Sequence, residues 1–311
     1  MQNNSVTVRC PATVANLVCG FDVLGMCISD PFDIMELTRT TTGKIVITNV
    51  TGHDLPTEPA LNAAGAPLLE MVAELNDGTG FEIKITKNIK PGSGLGSSGA
   101  SAAGAVVAAN HLLGNKYSKA ELVKFAMTGE EAACGARISD NVTACIFGGV
   151  TLIRSNTPLD IVPIPSPELF VTVVHPQIEV KTSYAREILK KEVLLTDAVK
   201  QWGNVAGLVA GLMQNNTGLI SRSLEDVIAE PFRSKLIPGF DKVKARCMAV
   251  GVLGGGISGS GPSVFMLSKD EATAKAAEEE MKNIYTGLGL PHNTYTTTIN
   301  HRGVEFISPV S

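Results

Sequence analysis

The stretch Pro91-Gly92-Ser93-Gly94-Leu95-Gly96-Ser97-Ser98-Gly99-Ala100-Ser101 decides how this chain is read. It follows Phe81 to Lys87, whose strict alternation predicts a strand with one face on a core. It runs into Ala100 to Leu113, a small-residue run that predicts a tightly packed helix. Strand, glycine-rich turn and helix start form a phosphate cradle by their chemistry. Glycines let backbone amides approach an anion, serines add hydroxyl donors, and the helix aims its positive end at the same spot. A flexible turn is the plainer reading, but the Ala- and Gly-rich helix behind the loop permits close packing under a fixed turn. A P-loop is excluded, because no Lys follows in GxxxxGK[ST] register. Gly94, Gly96 and Gly99 satisfy GxGxxG, yet a dinucleotide unit needs an acidic residue ending the next strand. Here that region joins one helix to another.

Outward from this loop the pattern stays mixed. Val6 to Arg9, Asp33 to Thr38, Lys44 to Asn49 and Val150 to Arg154 read as strands. Leu61 to Leu75 reads as a helix, and so does Ser118 to Ala132, with Ser118 as N-cap and Glu121 in the capping-box position. Four prolines between Pro158 and Pro167 mark the expected domain boundary, placed at 166/167, or a rigid surface loop. Beyond them come a strand (Leu169 to Val174), helices (Ser183 to Lys190, Thr196 to Gln214), a helix from Asp241, a strand (Ser263 to Leu267), a helix (Glu271 to Tyr285) and a strand near Tyr295 to Ile299. No regular βαβ repeat appears, which favours α+β.

Composition narrows the function. The chain has 311 residues, enough for one large or two medium domains. Apolar residues make up 44% and charged residues 18%, so a core can form and disorder is excluded as the main state. Apolar runs are too short to cross a bilayer, and Met1 to Ser5 lacks a secretory signal, so a cytoplasmic protein is expected. A net charge of −4 leaves no electrostatic footprint for nucleic acid. The six cysteines contain no CxxC pair and read as reduced core thiols; the five histidines show no metal-ligand spacing.

Two further segments carry polar or glycine-rich chemistry. Gly254 to Ser263 reads by itself as a turn between strands, without a GxSxG elbow. Pro11 to Gly25 places Asn16 and Asp22 in an otherwise small and apolar loop, where they bond the loop to itself or face a ligand.

Together, and in this order, these three stretches resemble the signature motifs of the GHMP small-molecule kinases. Pro91 to Ser101 is similar to PxGSGLGSSAAS, Pro11 to Gly25 to PATSANLGPGFDxLG, and Gly256 to Pro262 to ISGSGP. Asp140-Asn141-Val142 with Phe147-Gly148-Gly149 resembles HADNVAPxxxGG. Thr182 to Arg186 resembles TxxAR, and Glu230 to Phe240 resembles PxRxxLIPGF. These last stretches point to the branch of the family that phosphorylates L-homoserine.

The resemblance implies an α+β, two-domain fold, with an N-terminal domain (1–166) like the second domain of ribosomal protein S5 and a ferredoxin-like C-terminal domain (167–311). It implies transfer of the ATP γ-phosphate to the hydroxyl of L-homoserine for threonine synthesis, Mg²⁺ as cofactor, and a homodimer. The loop from Pro91 to Ser101 would hold the phosphates, with Asn62 on the adenine side. Ser98 and Glu130 match metal positions, although Glu130 alone reads equally as a solvated helix residue. Arg186 and Arg233 match the pair that holds a substrate carboxylate, against the plainer reading of surface ion pairs. Asn16 and Asp22 match positions near the amino group and hydroxyl, and Gly259 falls among the substrate contacts. Asn141 stands where related kinases carry a catalytic Asp. An amide is no base, so the hydroxyl would be oriented and its proton passed to phosphate; Asp140 reads as a base or as a helix cap.

Three positions depart from the pattern. Ile138 replaces the usual His, Thr143-Ala144 replaces Ala-Pro, and Gly99 replaces Ala at a loss of roughly 1 kcal/mol in helix propensity. Two rival readings remain: a GHMP kinase acting on another small alcohol, and a GHMP-fold nucleotide sensor without catalysis.

Overall fold

The computed structural model describes residues 4–307; residues 1–3 of the polar N-terminal stretch lie outside the described residues. The first half runs β1 (Ser5–Ala15), β2 (Leu24–Thr40), β3 (Ile45–Thr51), α1 (Gly65–Leu75), β4 (Gly80–Thr86), α2 (Ser97–Leu112), α3 (Lys119–Cys134), α4 (Asp140–Phe147), β5 (Val150–Asn156) and β6 (Leu159–Ile164). The second runs β7 (Phe170–Pro176), α5 (Thr182–Glu187), α6 (Leu195–Met213), α7 (Thr217–Ser223), α8 (Glu230–Arg233), α9 (Phe240–Ala249), β8 (Gly254–Ile257), β9 (Val264–Ser268), α10 (Glu271–Gly287), β10 (His292–Thr298) and β11 (Glu305–Phe306). The mixture is α+β, as the pattern predicts.

The first sheet has the order β11-β1-β2-β4-β3, with β5 and β6 joined to β2 off that path. At 17 residues, β2 is long enough to pair with β1, β4 and β5 along different parts of its length. The second sheet has the order β10-β7-β9-β8 and is antiparallel throughout. Counted from β7, that order is 4-1-3-2 on a βαββαβ path, the ferredoxin-like arrangement. One hydrophobic core reaches from β1, β2, β4 and α2 to β7, α6 and β9.

Local chemistry explains most boundaries. Ser118 and Glu121 form the predicted capping box of α3. Helix α2 is buried along nearly its whole length, and its Ala and Gly residues let it lie close on β1 and β2. The structure differs from the sequence reading at three places. Part of the proline-rich segment is strand β6, an edge strand that tolerates Pro163 because it pairs only with β5. Gly254 to Ile257 is strand β8 and not a turn, its weak propensity overridden by pairing with β9. Pro11 to Ala15 continues β1 and is not loop.

The phosphate-loop candidate is tied to the sheet by a buried ion pair. Lys87, just past β4, pairs with Asp33 of β2, and both side chains are almost wholly buried. Lys87 Nζ also donates to Ser97 O (2.6 Å) and Ser101 Oγ (2.8 Å) at the start of α2. Asp33 Oδ1 accepts from the amides of Asn88 and Ile89, both at 2.8 Å. Asp33→Ala strands a buried ammonium and two amides, and should destabilise the protein by about 3–5 kcal/mol. Asp33→Asn, which keeps an acceptor for the amides, should lose less. Urea midpoints of the two variants against the parent chain check this ordering.

Candidate active site

The loop after β4, the first turn of α2, the α3–α4 corner, the β1–β2 loop, α5, α8 and the β8–β9 loop surround one cleft of about 580 Å³. Its wall includes Asn16, Asp22, Asn62, Ser98, Glu130, Asp140, Asn141, Arg186, Arg233 and Gly259. From the loop, Pro91, Gly92, Gly94, Gly96, Ser97, Ser98 and Ser101 face it; Ser93, Leu95, Gly99 and Ala100 lie behind.

At one end Leu55, Pro56, Leu61 and Asn62 make a mostly apolar wall. The Asn62 amide is engaged within the protein: Nδ2 donates to Pro56 O (2.7 Å) and Oδ1 accepts from Ala64 N (2.8 Å). Asn62 therefore shapes this wall. In the middle lies the glycine-rich loop. Ser258 Oγ braces it by donating to Gly94 O (2.6 Å), and Thr13 N donates to Leu95 O (3.2 Å).

Glu130 of α3 faces the start of α2. It is 4% exposed, and its Oε1 is buried without a hydrogen-bond partner. Burial raises its pKa, opposed by a hydrogen bond from Ser98 and by the charge of Lys87. Glu130 is thus not the solvated helix residue of the plainer reading. An orphaned carboxylate oxygen beside a hydroxyl is a hard oxygen donor set of the kind a magnesium ion takes.

The opposite end is built around two arginines. Arg186 of α5 makes a two-pronged ion pair with Asp22 (2.8 and 2.9 Å). Arg233 of α8 is 5% exposed. Its guanidinium donates to two carbonyls, Ala185 O (2.9 Å) and Gly259 O (3.1 Å), and forms no ion pair among the described residues. Burial and the nearby charge of Arg186 lower its pKa. Both guanidinium groups lie over the ring of Phe21, at 5.4 and 4.8 Å from its centroid. Asp226 holds α8 in place by accepting from the amides of Ile228, Ala229 and Glu230. Asn16 closes the corner: Nδ2 donates to Gly259 O (2.9 Å) and Oδ1 accepts from Asp22 N (3.0 Å). Asn16, Leu17, Val18 and Asp22 all take positive φ (73, 41, 66 and 59°). Four such non-glycine residues in one loop are local strain, held by the surrounding packing.

Between the two ends sit Asp140 and Asn141. Asp140 opens α4 without capping it; Ser139 is the N-cap residue, and Asp140 Oδ1 accepts from the next amide, Asn141 N (2.7 Å). Burial, then the charge of Asp22, pushes the Asp140 carboxyl up to about 7. Asn141 Oδ1 accepts from Thr13 Oγ1 (2.6 Å), and Nδ2 donates to Asp140 Oδ1 (3.2 Å). Ile138 lines this part of the cleft. Gly99 also has a use here: a Cβ at that position would lie 2.9 Å from Asn141 Cβ, so its lack of a side chain lets α2 approach α4. Lys87, Thr13, Phe21, Asp226 and Ser258 were not marked by the sequence motifs as site residues. Only Thr13, Phe21 and Ser258, each inside a quoted motif, carried a usable signal.

Comparisons with known proteins agree with this geometry. Residues 63–149 match the family GHMP kinases N terminal domain, and residues 206–287 match GHMP kinases C terminal. The chain is 45% identical to a homoserine kinase of Chloroherpeton thalassium over 90% of this chain and 93% of that one. It is 42% identical to one of Methanococcus maripaludis over 86% and 88%. A solved homoserine kinase structure from Cytophaga hutchinsonii superposes with a TM-score of 0.95 at 45% identity, covering 99% and 98% of the two chains. Among the described residues no helix is long and apolar enough to cross a membrane.

The raised Asp140 value has a measurable consequence for stability. The folded state holds this proton more tightly than the unfolded chain, whose carboxyl titrates near pH ~4. Between about pH 4 and 7 the native state therefore binds more protons, and this contribution to stability falls as pH rises, then levels above 7. Asp140→Asn should remove that fall. Urea midpoints of both proteins from pH 4.5 to 8 should converge at the acid end and separate toward neutrality; parallel curves would contradict it.

Proposed function

The chain belongs to the GHMP kinases, in their homoserine kinase branch, and on that premise we propose how its residues divide the work. The reaction is transfer of the γ-phosphoryl group of ATP to the side-chain hydroxyl of L-homoserine, giving O-phospho-L-homoserine and ADP. The new bond joins the acceptor oxygen to the γ-phosphorus, and the bond to the β,γ-bridging oxygen breaks. We place the boundary between the ATP-binding and C-terminal domains at 166/167, between the two matched stretches.

Phosphoryl transfer needs positioning and charge neutralisation more than covalent help from the protein. The loop from Gly92 to Ser98 holds the α- and β-phosphates with its backbone amides, and the apolar wall beside Asn62 takes the adenine. Ser98 and Glu130 hold Mg²⁺, which when bound neutralises charge on the phosphate oxygens. Arg233 and Arg186 receive the acceptor's carboxylate, and Asp22 receives its ammonium. Asn16 and Gly259 keep that corner in shape. Asn141 orients the hydroxyl. Asp140, with its carboxyl near neutrality, is the group on this chain suited to take the hydroxyl proton. That differs from the expectation of proton transfer to phosphate alone.

Arg233 carries the choice of acceptor. A buried guanidinium with no carboxylate partner among the described residues, opening on the phosphate-loop cleft, calls for an anionic ligand group. Mevalonate also has a carboxylate, but it lacks the ammonium that Asp22 complements; a sugar has neither.

A coupled ADP-release assay with MgATP and L-homoserine, L-threonine, L-serine, mevalonate or galactose tests this reading. Homoserine should be the preferred acceptor. Arg233→Ala should raise its KM by about 100-fold, equivalent to roughly 3 kcal/mol, with little change in the KM for ATP. Glu130→Ala should instead abolish most of kcat. Faster turnover of mevalonate or galactose would sink the assignment of the acceptor. ATP binding without turnover of any acceptor would favour a sensor.

A further inference from the structure

We propose that Thr13 is a positioning residue for this reaction, turning the amide of Asn141 so that its N–H side, and not its carbonyl, faces the acceptor hydroxyl; this rests on the kinase reading above. Thr13 is fully buried near the end of β1 and does not line the cleft. Its Oγ1 lies 2.6 Å from Asn141 Oδ1, the shorter of the two side-chain hydrogen bonds that Asn141 makes.

The direction of that bond follows from its neighbours. Asp140 Oδ1 already accepts the backbone N–H of Asn141 at 2.7 Å, so it is an acceptor. The Asn141 atom 3.2 Å from it must then be the amide nitrogen. The carbonyl end consequently points at Thr13, whose hydroxyl must donate. One N–H of the Asn141 amide goes to Asp140, and the other remains for a ligand in the cleft. Held this way, Asn141 donates to the acceptor oxygen and leaves the acceptor's own proton directed elsewhere, with Asp140 alongside. The flipped amide would present a lone pair, compete for that proton and repel the Asp140 carboxylate.

The same threonine registers this amide against the phosphate loop. Its backbone N–H donates to Leu95 O (3.2 Å). Gly96, at φ 63°, packs against the Thr13–Asn141 bond so closely that a Cβ there would lie 1.9 Å from Thr13 Oγ1 and 2.7 Å from Asn141 Oδ1. One residue thus fixes the acceptor-side amide relative to the loop that holds the donor, which is the alignment an in-line transfer requires.

The test is steady-state kinetics on the full chain with MgATP and L-homoserine, for Thr13→Val, Thr13→Ser, Asn141→Ala and the Thr13→Val/Asn141→Ala pair. Thr13→Val, similar in shape but without a donor, should lower kcat by roughly tenfold or more while the KM for ATP and the urea midpoint stay near those of the parent. Thr13→Ser should recover kcat to within about threefold. In the Asn141→Ala background Thr13→Val should have no further effect, because the amide it orients is gone. Should Thr13→Val fail to fold, Thr13→Ala takes its place in the same cycle. A donor-less variant with parental kcat, or one whose loss multiplies with that of Asn141→Ala, overturns the proposal and leaves the kinase reading standing. No homoserine-dependent turnover by the parent chain overturns both.

Discussion

The glycine-rich loop depends on one buried interaction, the ion pair between Asp33 and Lys87. A loop of glycines and serines has little stiffness of its own, and its amides bind an anion well only if they are fixed before it arrives. Lys87 supplies the fixing from beneath. Its three N–H donors go to the Asp33 carboxylate, the carbonyl of Ser97 and the hydroxyl of Ser101. Asp33 in turn holds the amides of Asn88 and Ile89, where β4 gives way to the loop. The centre of β2, the end of β4 and the first turn of α2 are therefore one unit. Ser97 Oγ closes the same ring by donating to Ile89 O (2.8 Å). A buried ion pair is weak evidence for stability, but this one has every donor and acceptor engaged, the condition under which such a pair specifies a single arrangement.

The acceptor end solves a different problem. It must hold charged residues in a closed corner without letting them neutralise one another completely. Asp22 and Arg186 pair across the cleft wall and stay partly exposed. Arg233 lies deeper, with two carbonyls and the face of Phe21 in place of a carboxylate. Carbonyls and an aromatic ring stabilise a guanidinium less than a carboxylate does, so Arg233 keeps a strong preference for an anion. The strained loop from Asn16 to Asp22 sets this geometry, since it points the Asp22 carboxylate at Arg186 and Phe21 at both arginines. Its strain is balanced by bonds from the β8–β9 loop and by Gln201 of α6, whose Nε2 donates to Cys19 O (2.8 Å).

Much of this was legible in the sequence, and the parts that were not have physical reasons. The alternation of Phe81 to Lys87 and the capping box at Ser118 are local signals, and both elements lie where those signals put them. The three motifs, taken with the further family stretches around Asp140, Arg186 and Arg233, marked most residues that line the cleft, because residues that touch ligands through loops leave compact patterns. Lys87 escaped notice because no motif includes it, although the alternation that puts Phe81, Ile83 and Ile85 on the core places it on the same face. Its partner Asp33 lies 54 positions earlier. Thr13 lies inside a quoted motif, but its pairing with Asn141 escaped because that partner is 128 positions away. Gly99 was read as a weakened helix start, whereas its value lies in how closely α4 can approach. Strand β8 was missed because glycine runs carry turn propensity, and pairing with β9 is a non-local fact.

The resulting cleft arranges charge by depth. Asp140 and Glu130 are buried carboxyls whose pKa values burial raises, and they stand apart from the partly exposed Asp22. Glu130 has a nearby lysine and a serine hydroxyl to favour its charged form, so its character is that of a ligand for a cation. Asp140 has Asp22 nearby to disfavour its charge and the apolar Ile138 on the same wall, so its character is that of a proton acceptor near neutrality. The same residue type thus takes two roles, separated by what lies within a few ångströms of each carboxyl. Replacement of the usual His by Ile138 fits this division. A second titrating group on that wall would bring a charge of its own near Asp140, whereas an aliphatic side chain leaves burial and the charge of Asp22 to raise its affinity for the proton.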